Sequence, residues 1–205
     1  MIQRTSVRER DVQNRMSVWH NHGVRPTRSS TRSPPPPLDA AALDRLALRY
    51  VERFATTRGR LADYLARKLR ERGWAGAGAA DPAAVAERMA QRGYVDDRTY
   101  AATKGASLSR RGYGARRVAE TLRAAGIAGD DAAPAMAEVR EQAWGSAVAL
   151  ARRKRIGPFA TAAADPRERE RHLAQLLRAG HDLAIARRLV AMAPGEEPGE
   201  GDDPW

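Results

Sequence analysis

Cysteine is missing from all 205 residues. That excludes disulfides, thiolate nucleophiles and cysteine-held metals. Long apolar runs are missing too: nothing approaches the ~20 residues that span a bilayer. The N-terminus lacks the apolar core of a signal peptide. The expectation is a soluble, cytoplasmic protein. Aromatic residues are scarce, with only two Phe, four Trp and five Tyr. Much of the remaining apolar content is Ala, which favours helices but buries little area. Several small helical cores are expected, not one large one. Lysine occurs only at Lys68, Lys104 and Lys154, so the net charge of +11 is carried almost entirely by Arg.

That charge is unevenly spread. Residues 1–37 hold seven Arg against Glu9 and Asp11, and residues 194–205 hold five acids and no base. The stretch between them therefore carries +11 by itself, an excess that suits polyanions or an acidic protein surface. Residues 1–37 end in SSTRSPPPP and show no sustained apolar period, which reads as a disordered basic arm. Trp19, His20 and His22 lie within it, and the His-x-His pair has no further ligands nearby. The last twelve residues, PGEEPGEGDDPW, read as an acidic disordered tail.

Between the two ends the apolar positions recur at helical spacing. Leu43, Leu46, Tyr50, Phe54 and Thr57 form one series, and Leu61, Leu65 and Leu69 another, stopped by Gly73. Asp81-Pro82 opens a helix through Val85 and Met89 to Gly93, and Asp96 or Asp97 caps the next. Val118 and Leu122 lead to a stop at Gly126. Met136, Val139, Ala143, Ala147 and Leu150 make a further seam, with Gly145 as its expected interruption. Asp165-Pro166-Arg167-Glu168 is a start signal with Asp at N-cap, Pro at N1 and Glu at N3, for a helix running to Gly180. Asp182 caps a last one through Ile185 and Leu189. Nothing alternates with period two, so the fold class is all-α.

The chain also repeats itself. LARKLRERGW, VAETLRAAGI and LAQLLRAGH each place Leu four residues before Gly, at Leu69 and Gly73, Leu122 and Gly126, and Leu176 and Gly180. The glycines are spaced 53 and 54 residues apart. This is the mark of a repeated unit: a helix, a second helix ending in Leu-x-x-x-Gly, and a third packed on both. Three such units in tandem, at 38–95, 96–143 and 144–193, would make an elongated body.

No catalytic constellation accompanies this architecture. His172 and His181 straddle a helix stop and match no metal-ligand or catalytic spacing, and Asp96-Asp97 sits where a helix cap belongs. Gly112-Tyr113-Gly114 carries Arg117 where a dinucleotide fingerprint needs its third Gly, follows no strand, and lacks the Gly-Lys-Ser/Thr of a P-loop. It reads as a turn between two helices, with Tyr113 either folded into the core or exposed as a contact. Around it Arg110, Arg111, Arg116, Arg117 and Arg123 face only Glu120, which is placed to pair with Arg116 or Arg123. Basic clusters recur at Arg67, Lys68, Arg70 and Arg72 and at Arg152, Arg153, Lys154 and Arg155. Each alone is an ordinary solvated helix face; together they suggest a binding track.

Four segments carry a family resemblance: 47–74 (ALRYVERFATTRGRLADYLARKLRERGW), 92–101 (RGYVDDRTYA), 108–127 (LSRRGYGARRVAETLRAAGI) and, more loosely, 173–190 (LAQLLRAGHDLAIARRLV). Their order resembles the bacterial RecX regulatory proteins, modulators of the RecA recombinase. This sequence departs from the pattern at Ala115, where Pro is common, at Gly59 before the second helix, and in the insert AGAGAADP. The resemblance implies tandem three-helix repeats in an elongated, curved body with disordered termini. It implies binding along a RecA–DNA filament, inhibition of strand exchange and ATP hydrolysis, and a place in DNA repair, recombination and the SOS response. No catalytic residue and no cofactor is implied. The expected contact residues are Arg110, Arg111, Tyr113, Arg116, Arg117 and Arg123, supported by Arg67, Lys68 and Arg70. The expected partner is a RecA-type filament, met by a monomer, with single- or double-stranded DNA as a further contact. A helical DNA-binding protein or transcription factor is the alternative, and a phosphate-binding enzyme a third reading.

Overall fold

The computed structural model describes residues 35–199; Trp19, His20, His22 and the two terminal segments' outer residues lie outside them. Nine α-helices are described, and no strand beyond an isolated bridge between Leu38 and Trp74. Helix α1 spans Ala40–Val51, α2 Arg58–Arg72 and α3 Pro82–Gln91. Then come α4 at Asp97–Arg110, α5 at Ala115–Arg123 and α6 at Ala133–Glu141. The last three are α7 at Ala143–Lys154, α8 at Pro166–Arg178 and α9 at Leu183–Ala191.

Most starts are set by local capping. Asp39, Asp81, Asp96, Asp165 and Asp182 each accept a backbone N–H of their own first turn, as Thr57 does for α2. Each cap satisfies a donor that the helix cannot satisfy itself, worth about 1 kcal/mol. Helix α5 has no side-chain cap; Gly114 stands at its N-cap.

The helices close three successive cores. Leu38, Leu43, Leu61, Leu65, Val85 and Met89 are buried among α1–α3. Ala101, Leu108, Val118, Leu122, Ile127 and Val139 are buried among α4–α6, and Leu150, Ile156, Leu176, Ile185 and Leu189 among α7–α9. In each trio the second helix ends at the repeated Leu-x-x-x-Gly. The chain is thus all-α, built of tandem three-helix units.

Several local expectations need correction. Phe54 is 54% exposed, because α1 stops at Val51 and the chain turns before Phe54 could reach the core. Gly59 lies inside α2, not ahead of it. The seam through Met136 and Leu150 breaks at Gln142, which closes α6 and opens α7, while Gly145 continues α7 unbroken. Glu120 pairs with Arg117 at 3.4 Å, not with Arg116 or Arg123, since the guanidinium of Arg116 is bound elsewhere.

Candidate functional site

Gly112-Tyr113-Gly114 is the turn between α4 and α5. Gly112 N–H donates to Ser109 O at 2.8 Å and Tyr113 N–H to Leu108 O at 3.0 Å, a paired C-terminal cap. That cap needs a left-handed residue, and Gly112 supplies it at φ 76°. The backbone of Gly112 also lies against Leu150 of α7; a Cβ there would come within 2.9 Å of the Leu150 Cβ.

Gly114 has a different duty. Its φ of −81° is open to any residue, but a Cβ would run into the Gly180 carbonyl. The start of α5 is docked, backbone on backbone, on the turn that ends α8. Gly114 N–H donates to Ala179 O at 2.9 Å and Arg116 N–H to Gly180 O at 3.2 Å. The Arg116 guanidinium donates to Leu177 O. The unpaired carbonyls at the end of α8 therefore meet the unpaired N–H groups at the start of α5, an alignment that both helix dipoles favour.

The same joint occurs one unit earlier. Gly59, in the first turn of α2, lies against the turn ending α5, where its Cβ would come within 2.9 Å of the Gly126 Cα. The Thr57 hydroxyl donates to Ala125 O. Arg58 clasps this joint: its guanidinium meets Asp97 at 3.0 Å, Glu87 at 3.1 Å and also Asp131. These carboxylates hold the Arg58 pKa above its ordinary value, the Asp97 hydrogen bond foremost. Asp97, only 6% exposed, accepts the Arg58 backbone N–H as well, so it caps α2 rather than its own helix, while Asp96 caps α4.

His181 is buried in the later joint at 3% exposure, with Nε2 3.0 Å from the Gly112 carbonyl. A carbonyl only accepts, so Nε2 carries the proton and donates. Burial pushes the imidazole pKa down, and the bond to Gly112 opposes that.

The joints sort the expected contact residues. Arg110 and Arg123 are exposed at the ends of α4 and α5. Arg117 is exposed and pairs with Glu120. Arg111 is exposed, with its guanidinium 5.5 Å from the centre of the half-buried Tyr113 ring and its carbonyl accepting from Arg153 at 2.8 Å. Arg116 is exposed as well, with one guanidinium nitrogen donating across the joint to Leu177 O. In the first unit Arg67 and Lys68 pair with Glu71 and lie over the Tyr64 ring, and Arg70 is exposed beside them.

Sequence spacing missed a cavity of about 630 Å³ beside the Gly-Tyr-Gly turn, walled by Arg111, Tyr113, Arg153, Lys154, Gln175 and Arg178 over Leu150 and Ala179. Its residues come from three helix ends far apart in sequence. Among the described residues no group of His, Asp or Glu is placed to hold a metal ion, and no helix is long and apolar enough to cross a membrane.

No protein-family model matches the chain. Its sequence is 30% identical over 179 residues to the regulatory protein RecX of Myxococcus xanthus (strain DK1622), covering 82% of this chain and 96% of that protein. The RecX crystal structure from Lactobacillus salivarius shares its fold at a TM-score of 0.53 and 18% identity, over 73% of this chain and 93% of that one. A second crystal structure of a regulatory protein RecX superposes at 0.51 and 20% identity, over 73% of this chain and 72% of that one. With one relative 30% identical over nearly its whole length and the fold shared with both structures, the chain belongs to the RecX family of regulatory proteins.

Proposed function

We propose that this protein binds a RecA-type filament on DNA and restrains its ATPase and strand-exchange activity, acting by binding and without a cofactor. The observation that carries this reading is the family match over almost the full length of a RecX relative. The units at 38–95, 96–143 and 144–193 act as successive stations, so that one monomer bridges neighbouring subunits of the filament in the cytoplasm. Binding one filament conformation better than another is enough to shift assembly or turnover.

The contact patch centres on Arg110 and Arg117, exposed beside the α4–α5 turn, and extends to Arg123, exposed at the far end of α5. Arg111 and Tyr113 extend it as a cation–π pair. Arg67, Lys68 and Arg70 form the supporting patch in the first unit. Arg116 contributes by holding the joint rather than by touching the partner. The test substitutes Arg110, Arg117 and Arg123 with Ala and measures ATP hydrolysis by a RecA-type recombinase on single-stranded DNA. Weakened inhibition at unchanged circular dichroism is expected; undiminished inhibition removes the patch.

A further inference from the structure

We infer that the cavity between the Gly-Tyr-Gly turn and the ends of α7 and α8 is a phosphodiester site that takes the backbone of a single nucleic-acid strand. The inference goes beyond the filament reading and does not depend on it.

Charge is the first support. Arg111, Arg153, Lys154 and Arg178 line the cavity, and no carboxylate does. Basic residues at helix C-termini often only offset the helix dipole, and these four sit at the ends of α4, α7 and α8. Three such ends supply roughly −0.5 each, about −1.5 together, against four full positive charges. The dipoles leave more than half of the positive charge uncompensated. Elsewhere on the chain Arg58, Arg88, Arg98 and Arg117 have found carboxylates within the described residues, whereas these four have not. Lys154 and Arg178 have no side-chain partner of any kind there.

The second support is the mix of groups. The Arg111 guanidinium lies over the Tyr113 ring, 5.5 Å from its centre, so one wall offers a cation and an aromatic ring side by side. Gln175 adds a neutral amide, and Leu150 and Ala179 an apolar floor. A carboxylate-rich peptide would be recognised by charge alone. A nucleotide strand uses all three: cations for phosphate, a planar face for a base, and an amide for its edge. The volume of about 630 Å³ suits a short piece of one strand and not a duplex.

The test measures fluorescence anisotropy of labelled oligo(dT) against the full chain over a series of salt concentrations. The double variant Lys154→Ala, Arg178→Ala removes two charges that have no side-chain partner among the described residues. Arg45→Ala, Arg49→Ala removes the same charge from exposed positions on α1. Each phosphate contact on a single strand contributes about 0.7 to the slope of log affinity against log salt, so the first variant is expected to lose about 1.4 of slope. Its affinity should fall severalfold while the α1 variant stays near the parent. Equal losses in both variants would overturn the site in favour of diffuse charge. Loss of poly-Glu binding with oligo(dT) binding intact would reassign the cavity to an acidic peptide. Absence of oligo(dT) binding by the parent chain would end the inference. Binding of oligo(dT) by a chain that leaves recombinase ATPase untouched would remove the filament reading and keep the cavity as assigned.

Discussion

Gly114→Ala isolates the joint between the second and third units. The backbone at Gly114 is unstrained, so the substitution costs nothing through φ. Its main cost comes from a Cβ driven into the Gly180 carbonyl and the His181 backbone. Neither neighbour is a flexible side-chain end, so the joint has to open. Opening it stretches the bonds from Gly114 to Ala179 O and from Arg116 to Gly180 O. Those are worth about 1 kcal/mol each, and the overpacking adds about 1–3 kcal/mol. Losing Gly for Ala at an N-cap adds roughly half a kcal/mol. Against this, Ala restricts the unfolded chain by about 0.4–1 kcal/mol. The net expectation is a loss of about 2.5–5 kcal/mol, a large share of the roughly 5–15 kcal/mol of an ordinary domain. Gly145→Ala is the matched control: it lies within α7 with open space where its Cβ would go. There the same change should stabilise by about 1 kcal/mol through helix propensity. Urea unfolding followed by circular dichroism reads both. Hydrogen exchange at the Gly114 and Arg116 amides reads the joint directly. A Gly114→Ala protein as stable as its parent, with both amides equally protected, would refute the backbone-on-backbone docking.

Arg58→Met should destabilise by about 2 kcal/mol in urea, less than the ~3–5 kcal/mol of a fully buried pair because the Arg58 side chain is 37% exposed. Asp97→Asn in the same background should recover part of that loss, since no buried charge is then left unmatched. Leu122→Ala removes a fully buried side chain from the middle core and should cost about 2–5 kcal/mol in the same assay. Stability should fall as the pH drops below about 6.5: the unfolded His181 then takes up a proton that the folded one, with its lowered pKa, does not. The contribution is complete above that pH and is lost on descending toward the folded pKa. His181→Gln should flatten this part of a thermal-unfolding profile measured from pH 7.5 to 5.

The units were legible because their signals are local. Asp at the caps, Pro at N1 and Gly four residues after Leu each act within one turn of helix, so one stretch of sequence carries the whole instruction. The joints were not legible, because they depend on what comes near from elsewhere in the chain. Gly59 and Gly114 look alike in sequence to glycines that only loosen a turn; it is the approach of Gly126 and Gly180 that gives them their role. Asp97 reads as a cap for its own helix and serves another. Arg116 reads as one of a matched outward pair, yet only Arg117 of the two keeps its guanidinium off the joint. The basic cavity was missed for the same reason: Arg111, Arg153 and Arg178 meet only after three helices have ended at one place.

Because main-chain atoms and glycines meet directly in both joints, the way one unit sits on the next does not depend on the exposed side chains that take no part in them. Exposed positions such as Arg110, Arg117 and Arg123 can be exchanged, reversed in charge or made apolar without asking the neighbouring unit to adjust. Natural variation is then free to rewrite the exposed surface while the spacing between units stays constant. The protein can be treated as a ruler with interchangeable markings, and new partners can be sought by altering the markings alone.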